Sequence, residues 1–242
     1  MKRKKLWIAL AFGMLSISTL QAQNWWKNRI KGQGDVQKQE LEVPRFDGFT
    51  LAINADVKLR QGADYEMIVE AQANIIDNIE LKMKDGHLRI TYDRPVWRSK
   101  GITIYLTAPD VDRVAVSGSG DIKGEGSFTN LEDLALSVSG SGDIELGFSA
   151  REVSTSISGS GSLRLSGSGD RLSTKISGSG NVRAADLMVA EAQVSVSGSG
   201  SVYVHATENL EARVSGSGDI KYKGNPRIRA KTSGSGDVES IQ

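Results

Sequence analysis

The tetrapeptide Ser-Gly-Ser-Gly begins at residues 117, 139, 158, 166, 177, 197, 215 and 233. With the copy at 166 set aside, the intervals are 22, 19, 19, 20, 18 and 18 residues, a period near 20 that calls for a solenoid before any other fold. Taken alone, each copy has the composition of a flexible linker. The flanking residues do not. Val138, Gly140, Gly142, Ile144 and Leu146 share one parity, and Ser137, Ser139, Ser141, Asp143 and Glu145 share the other. The same division holds over 114–122, 157–163, 176–182, 196–202 and 214–220. Period two separates the two faces of a strand. The glycines are therefore expected on the apolar, inward side, at a sharp bend or where another backbone comes too close for a Cβ. The serines and aspartates are expected to face solvent, and a disordered tether has no reason to keep this phase.

One strand per half-repeat, with no long helical segment between, predicts an all-β chain. The expected fold is a right-handed parallel β-helix, with coils of about 20 residues stacked about 4.8 Å apart. Its hand follows the general preference of parallel crossovers. Aromatic residues make up only 6% of the chain against 38% hydrophobic residues overall, so the core must be built mainly from Val, Ile and Leu. Residues 184–192, "AADLMVAEA", are the richest in helix formers and read either as a turn or two of helix at a corner or as a strand of poor propensity. The extra copy, "LSGSGDRLSTKI" (165–176), lines up with "LGFSAREVSTSI" (146–157) and reads as an imitation of the motif in a different structural role.

The segment before the repeats carries alternating strands at 49–60, 65–71, 87–93 and 102–108, with turns at Gly62 and Asp85-Gly86. These supply either the first three or four coils or a separate β-cap. Residues 42–242 are expected to form a single β-helix domain with the repeats in 112–242. Residues 23–41 read as a polar lead-in whose Trp25 and Trp26 are candidates to plug the first coil.

The first 22 residues pass from Lys2, Arg3, Lys4 and Lys5 through an apolar stretch to small and polar residues, the order of a secretory signal peptide. Export is therefore expected, to periplasm, cell surface or exterior, with no transmembrane segment in the mature chain. The full chain has 30 basic and 29 acidic residues. Removing four basic residues and no acidic ones leaves a weakly acidic mature protein, a poor match for nucleic acid. The chain has no cysteine, so disulfides, thiolate metal sites and Cys lipidation are excluded.

Stacking places equivalent outward residues in ladders. The position after each motif holds Asp121, Asp143, Ser162, Asn181, Ser201, Asp219 and Asp237 in successive coils, so the aspartates fall in two adjacent pairs and avoid a continuous column of like charge. Asp121, Asp143, Asn181, Tyr203, Asp219 and Asp237 form the candidate interaction face. As catalytic groups the Asp pairs would need to act as acid and base or to hold a metal beside Lys123 or Lys221. No cofactor is expected. The Asp pairs are candidate calcium ligands, although their spacing departs from the G-G-x-G-x-D pattern of calcium-binding rolls. His87 and His205 have no partner at metal-ligand spacing, and no G-x-S-x-G elbow or dinucleotide fingerprint occurs.

The basic-apolar leader, "FDGFTLAINADVKLRQG" (46–62), "DGHLRITYD" (85–93) and the repeated "SGSGDI" resemble the bacterial head GIN domain, described as an autotransporter-adhesin head domain. The resemblance covers residues 42–242. It implies a pectin-lyase-like β-helix without that group's catalytic residues, exported, with a role in adhesion. It supplies no binding residues to carry over. The stretch to Gln242 shows neither the heptads of a stalk nor a membrane-barrel segment, so the full architecture of an autotransporter is not expected. The resulting expectation is a non-enzymatic, exported β-helix presenting a polar face to a surface glycan or an envelope protein. The alternatives are a polysaccharide-active enzyme, a carbohydrate-binding module or a structural spacer.

Overall fold

The computed structural model describes residues 29–241. The leader, its cleavage point and Trp25 and Trp26 lie outside the described residues. The chain begins with β1 (Ile30–Lys31), β2 (Val36–Leu41), β3 (Gly48–Leu51), β4 (Asp56–Gln61) and β5 (Glu66–Gln72), followed by the single-turn helix α1 (Ala73–Ile76). Next come β6 (Ile79–Lys84), β7 (His87–Tyr92), β8 (Val96–Arg98), β9 (Thr103–Ala108) and β10 (Arg113–Gly118). The repeats form the long, bent strands β11 (Asp121–Gly140), β12 (Asp143–Gly159), β13 (Ser162–Gly178), β14 (Asn181–Gly198) and β15 (Val202–Gly216). The next coil is β16 (Ile220–Lys223) and β17 (Arg227–Gly234), and β18 (Val238–Ser240) stacks on β16 at the start of one more.

From β10 to β18 every pairing between neighbouring coils is parallel. The fold is a parallel β-solenoid. Its core is a set of ladders. Leu134, Val153, Leu172, Ala192 and Leu210 stack in register, as do Val138, Ile157, Ile176, Val196 and Val214, and all are buried. One ladder turns polar inside the core at Thr155 and Thr174, where the Thr155 hydroxyl donates to Thr174 Oγ1 at 2.9 Å. Residues 184–192 lie within β14, with Ala184, Leu187, Val189 and Ala192 buried. Ladder pairing on both sides overrides their helix propensity.

The two glycines of each motif play different parts, which refines the expectation that both face inward. Gly140 is half-exposed with φ +128°, and its Cβ would strike the carbonyl of Gly118 one coil back. Gly142 is buried at ordinary φ, and a Cβ there would run into the carbonyl of Gly120 and sit 2.7 Å from Val116 Cγ1. One glycine makes the corner and the other clears the interior. The extra copy behaves as its alignment predicts. Gly167 pairs with Phe148 and Gly169 with Ala150, on the connecting half of the coil.

Residues upstream of the repeats provide both coils and a cap. β3 lies between β7 and β10, and β4 between β9 and β11, all parallel. The coil at 48–61 is therefore inserted between residues 87–108 and the repeats, out of chain order. β5, β6 and β2 then add antiparallel strands beyond β9, β7 and β5, and α1 buries Ile75 and Ile76 at the turn between β5 and β6. Residues 36–41 of the lead-in thus join the sheet as β2. This layer closes the N-terminal end of the core.

Candidate functional site

Along the polar ladder the carboxylates of Asp121, Asp143 and Asp219 are engaged with the backbone. Asp121 Oδ1 accepts the N–H of Asp143 at 2.9 Å, Asp143 Oδ1 that of Ser162 at 2.8 Å, Asn181 Oδ1 that of Ser201 at 3.1 Å, and Asp219 Oδ1 that of Asp237 at 3.1 Å. Each of these four side chains satisfies the donor that opens the next coil, whereas after Ser162 the N–H of Asn181 bonds the Gly161 carbonyl at 3.1 Å. The insertion of β4 lengthens this column, because Asp56 is the register partner of Asp121. Three carboxylates therefore follow one another, a juxtaposition hidden in the sequence because residues 56 and 121 become neighbours only through the out-of-order coil. Tyr203 stands on the adjoining outward ladder between Arg183 and Lys221, half-exposed. Lys123 pairs with Glu145 at 3.3 Å and Lys221 with Glu239 at 2.7 Å. Among the described residues, no group of three or more His, Cys, Asp or Glu side chains converges as a metal-binding set.

The histidines have separate surroundings. His205 is half-exposed beside Lys223 in register. His87 is half-buried at the capped end, with Nε2 and Thr50 Oγ1 sharing a hydrogen bond of 2.7 Å. Burial first, then Arg113 and Arg89, push the imidazole below its ordinary value, with Asp112 opposing them. Also at that end, Tyr105 donates to Glu70 Oε2 at 2.9 Å between the ammonium groups of Lys38 and Lys58, which lie 4.8 and 5.1 Å from its ring centroid. This cluster fastens β2, β4, β5 and β9 together.

The concave feature lies elsewhere, on the wall that precedes the glycine corner. An open groove of about 860 Å³ crosses the stack from Asp112 and Arg113 to Arg227 and Arg229. Small side chains create it. Arg113, Ala135, Ser154, Ser173, Gln193, Glu211 and Arg229 form one register column, and its small middle members leave the floor low between bulkier ends. Along one side runs a charged ledge of Asp133, Glu152, Arg171, Glu191, Asn209 and Arg227. Arg171 bridges Glu152 at 3.3 Å and Glu191 at 3.2 Å, and Arg151 bonds Glu132 at 2.8 Å and lies 3.5 Å from Glu152. The hydrogen bond that Arg151 donates to Glu132 and the carboxylates around it hold the guanidinium more firmly protonated. A smaller hollow of about 220 Å³ shares Glu152, Arg171 and Glu191 with the groove.

The sequence reading did not single out this groove. Its signal was the recurrence of the small residues Ala135, Ser154 and Ser173 at an even 19-residue spacing.

The fold is shared with known proteins. The family described as "Putative auto-transporter adhesin, head GIN domain" matches residues 45–226. The chain belongs to this family. Among solved structures, a "putative adhesin" from Bacteroides fragilis is 25% identical with a TM-score of 0.81, covering 88% of this chain and 100% of its own. A "Putative lipid binding protein" from Parabacteroides distasonis is 24% identical with a TM-score of 0.72, over 88% of this chain and 100% of its own. A "putative adhesin" from Parabacteroides merdae is 19% identical with a TM-score of 0.70, over 89% and 100%. The last two speak for the fold alone. No curated protein sequence matches the chain. Among the described residues, no helix is long and apolar enough to cross a membrane, which leaves strand-based crossing unaddressed.

Proposed function

We propose that this GIN-domain chain is an exported, non-enzymatic adhesion module that holds an extended partner, a surface glycan or a segment of an envelope protein, along its coils. The observation that carries this reading is the groove itself. It is open, elongated along the stack, floored by small residues and edged with ionic and hydrogen-bonding groups, a form suited to a linear ligand read at repeated intervals. Membership of a family described as an adhesin head supports the same reading. A hydrolytic role is less well supported, because Glu132, Glu152 and Glu191 are each bonded to Arg151 or Arg171, whereas acid–base cleavage needs a carboxyl pair facing the substrate.

The deciding experiment is a glycan-array and cell-surface binding screen of the purified protein, with a product assay on every hit. Binding without chain cleavage, weakened when Ser154 and Ser173 are replaced by bulky residues that fill the groove floor, is the expected result. Cleavage of a bound polysaccharide would assign the enzyme alternative. Binding that ignores the filled groove would place the contact on another face.

A further inference from the structure

The wall that follows the glycine corner changes character midway along the stack. At the corner position the flanking coils carry Asp121, Asp143, Asp219 and Asp237, whereas the three coils between them carry Ser162, Asn181 and Ser201. Two residues further along the same outward face, Arg164 and Arg183 are register partners, and Tyr203 follows Arg183 on the next coil. Both arginines are exposed. Neither forms a salt bridge among the described residues. Glu145, in register with Arg164, bonds Lys123 instead, and Asp186, in register with Ser166, pairs with neither.

Two guanidinium groups on adjacent coils, about 4.8 Å apart at the backbone, repel one another, and the side chains around them present donors. Asn181 Oδ1 is occupied by the Ser201 N–H at 3.1 Å, which leaves its Nδ2 amide to donate outward. Ser162, Ser201 and Tyr203 add hydroxyls. An array with two planar cations, neutral donors and no carboxylate at the corner complements a carboxylate or a sulfate ester. On the Asp-bearing coils the corner carboxylates would repel such a group, and the lysines beside them, Lys123 and Lys221, are already paired with Glu145 and Glu239.

We propose that Arg164, Arg183, Asn181 and Tyr203 form an anion-binding site for the acidic groups of a linear polysaccharide. The choice of a polymer rests on the adhesion reading, whereas the recognition of its charge stands on this wall alone. The site is separate from the groove, which lies on the opposite side of the corner in each coil.

The test is binding of the purified protein to alginate, which offers carboxylates, to dextran sulfate, which offers sulfate esters, and to dextran, which offers neither, at two salt concentrations. At least one polyanion is expected to bind and dextran is not, and the preferred polyanion names the acidic group. The pair Arg164→Gln/Arg183→Gln is expected to weaken that binding about tenfold or more, as loss of charge-assisted bonds predicts, with an unchanged melting temperature. The pair Lys84→Gln/Lys231→Gln removes the same charge elsewhere and is expected to leave binding within about twofold. Equal losses in both pairs, an unaffected Arg164→Gln/Arg183→Gln pair, or no polyanion binding overturns the site. Adhesion to cells or neutral glycans that survives in any of those cases keeps the adhesion reading standing without it.

Discussion

Asp143 Oδ1 accepts the backbone N–H of Ser162, one coil further along the solenoid, at 2.8 Å. The same bond links Asp121 to Asp143 and Asp219 to Asp237, so the conspicuous aspartates are first of all a means of joining coils. This separates the acceptor function from the charge. Asp143→Asn keeps Oδ1 and removes one of the stacked carboxylates, so its stability should match or slightly exceed that of the wild type. Asp143→Ala loses the acceptor and should cost about 1 kcal/mol. Urea denaturation of the two variants checks the ordering, and a more damaging Asn variant would mean that the charge itself matters.

The corner glycines allow a finer test. Gly118, on the first coil of the motif, has φ +131° and nothing within 4 Å of its missing Cβ, whereas Gly140 has φ +128° and the Gly118 carbonyl in the way. Gly118→Ala should therefore cost only backbone strain, about 1–2 kcal/mol. Gly140→Ala should cost clearly more. Gly180→Val should be among the most disruptive changes, because even its first side-chain carbon would lie 2.5 Å from both the Gly161 carbonyl oxygen and Ile157 Cγ2. Ser179→Ala, exposed between two such glycines, should move stability by less than about 1 kcal/mol. Thermal melting of these four variants is sufficient, and equal losses at positions 118 and 140 would refute the stacking argument.

These positions also show how far the sequence could be read. The alternation of Val138, Gly140, Gly142 and Ile144 was enough to predict coils, because period two is a local property of one strand. It could not distinguish Gly140 from Gly142, since a positive φ leaves no mark on parity. The stacking of Asp56 on Asp121 was equally hidden, because the order of coils in a sheet is decided by long-range pairing. Ala135, Ser154 and Ser173 do recur at an even 19-residue spacing, but that they form the low floor of a groove depends on the bulkier Arg113, Gln193, Glu211 and Arg229 stacked beyond them, which are set at unequal spacings of 22, 20, 18 and 18 residues.

Inside the core, Thr155 and Thr174 satisfy each other at 2.9 Å, and both are almost fully buried. Replacing either alone with Val leaves a hydroxyl without its partner and should cost about 1–3 kcal/mol. Replacing both removes the polar pair and extends the aliphatic ladder, so the double variant should recover most of the loss. A double-mutant cycle by chemical denaturation measures this coupling. Additive losses would show that the two hydroxyls act independently.

His87 adds a pH dependence. Burial and neighbouring Arg113 and Arg89 depress its folded-state value below 6.5, so folding favours the neutral ring. Between that lowered value and 6.5 the unfolded chain binds more protons than the folded one, and stability rises with pH where that holds. The contribution is complete above about 6.5 and is lost as pH falls toward the folded value. His87→Gln should flatten this part of the stability curve, whatever it does to stability at neutral pH. An unchanged slope would mean that the ring titrates alike in both states.

The charged ledge should matter for recognition far more than for folding. Arg171, bridging Glu152 and Glu191, is 64% exposed at its side chain, and its partners are 45% and 46% exposed. Such pairs contribute little to stability, because solvent screens them and ordering long side chains offsets the attraction. Arg171→Gln should therefore melt close to the wild type. It would nevertheless strip Glu191 of its guanidinium partner and make the ledge more acidic there, while Arg151 stays 3.5 Å from Glu152 and 3.8 Å from Asp133. A ligand held by this side of the groove must respond, with anionic partners weakened and cationic ones strengthened. Measuring binding of each hit from the surface screen to Arg171→Gln and to Arg164→Gln in parallel assigns the contact. A ligand sensitive only to Arg171 lies in the groove, and one sensitive only to Arg164 lies across the corner. A ligand indifferent to both would remove the ionic ledge and the basic wall from the adhesive surface together.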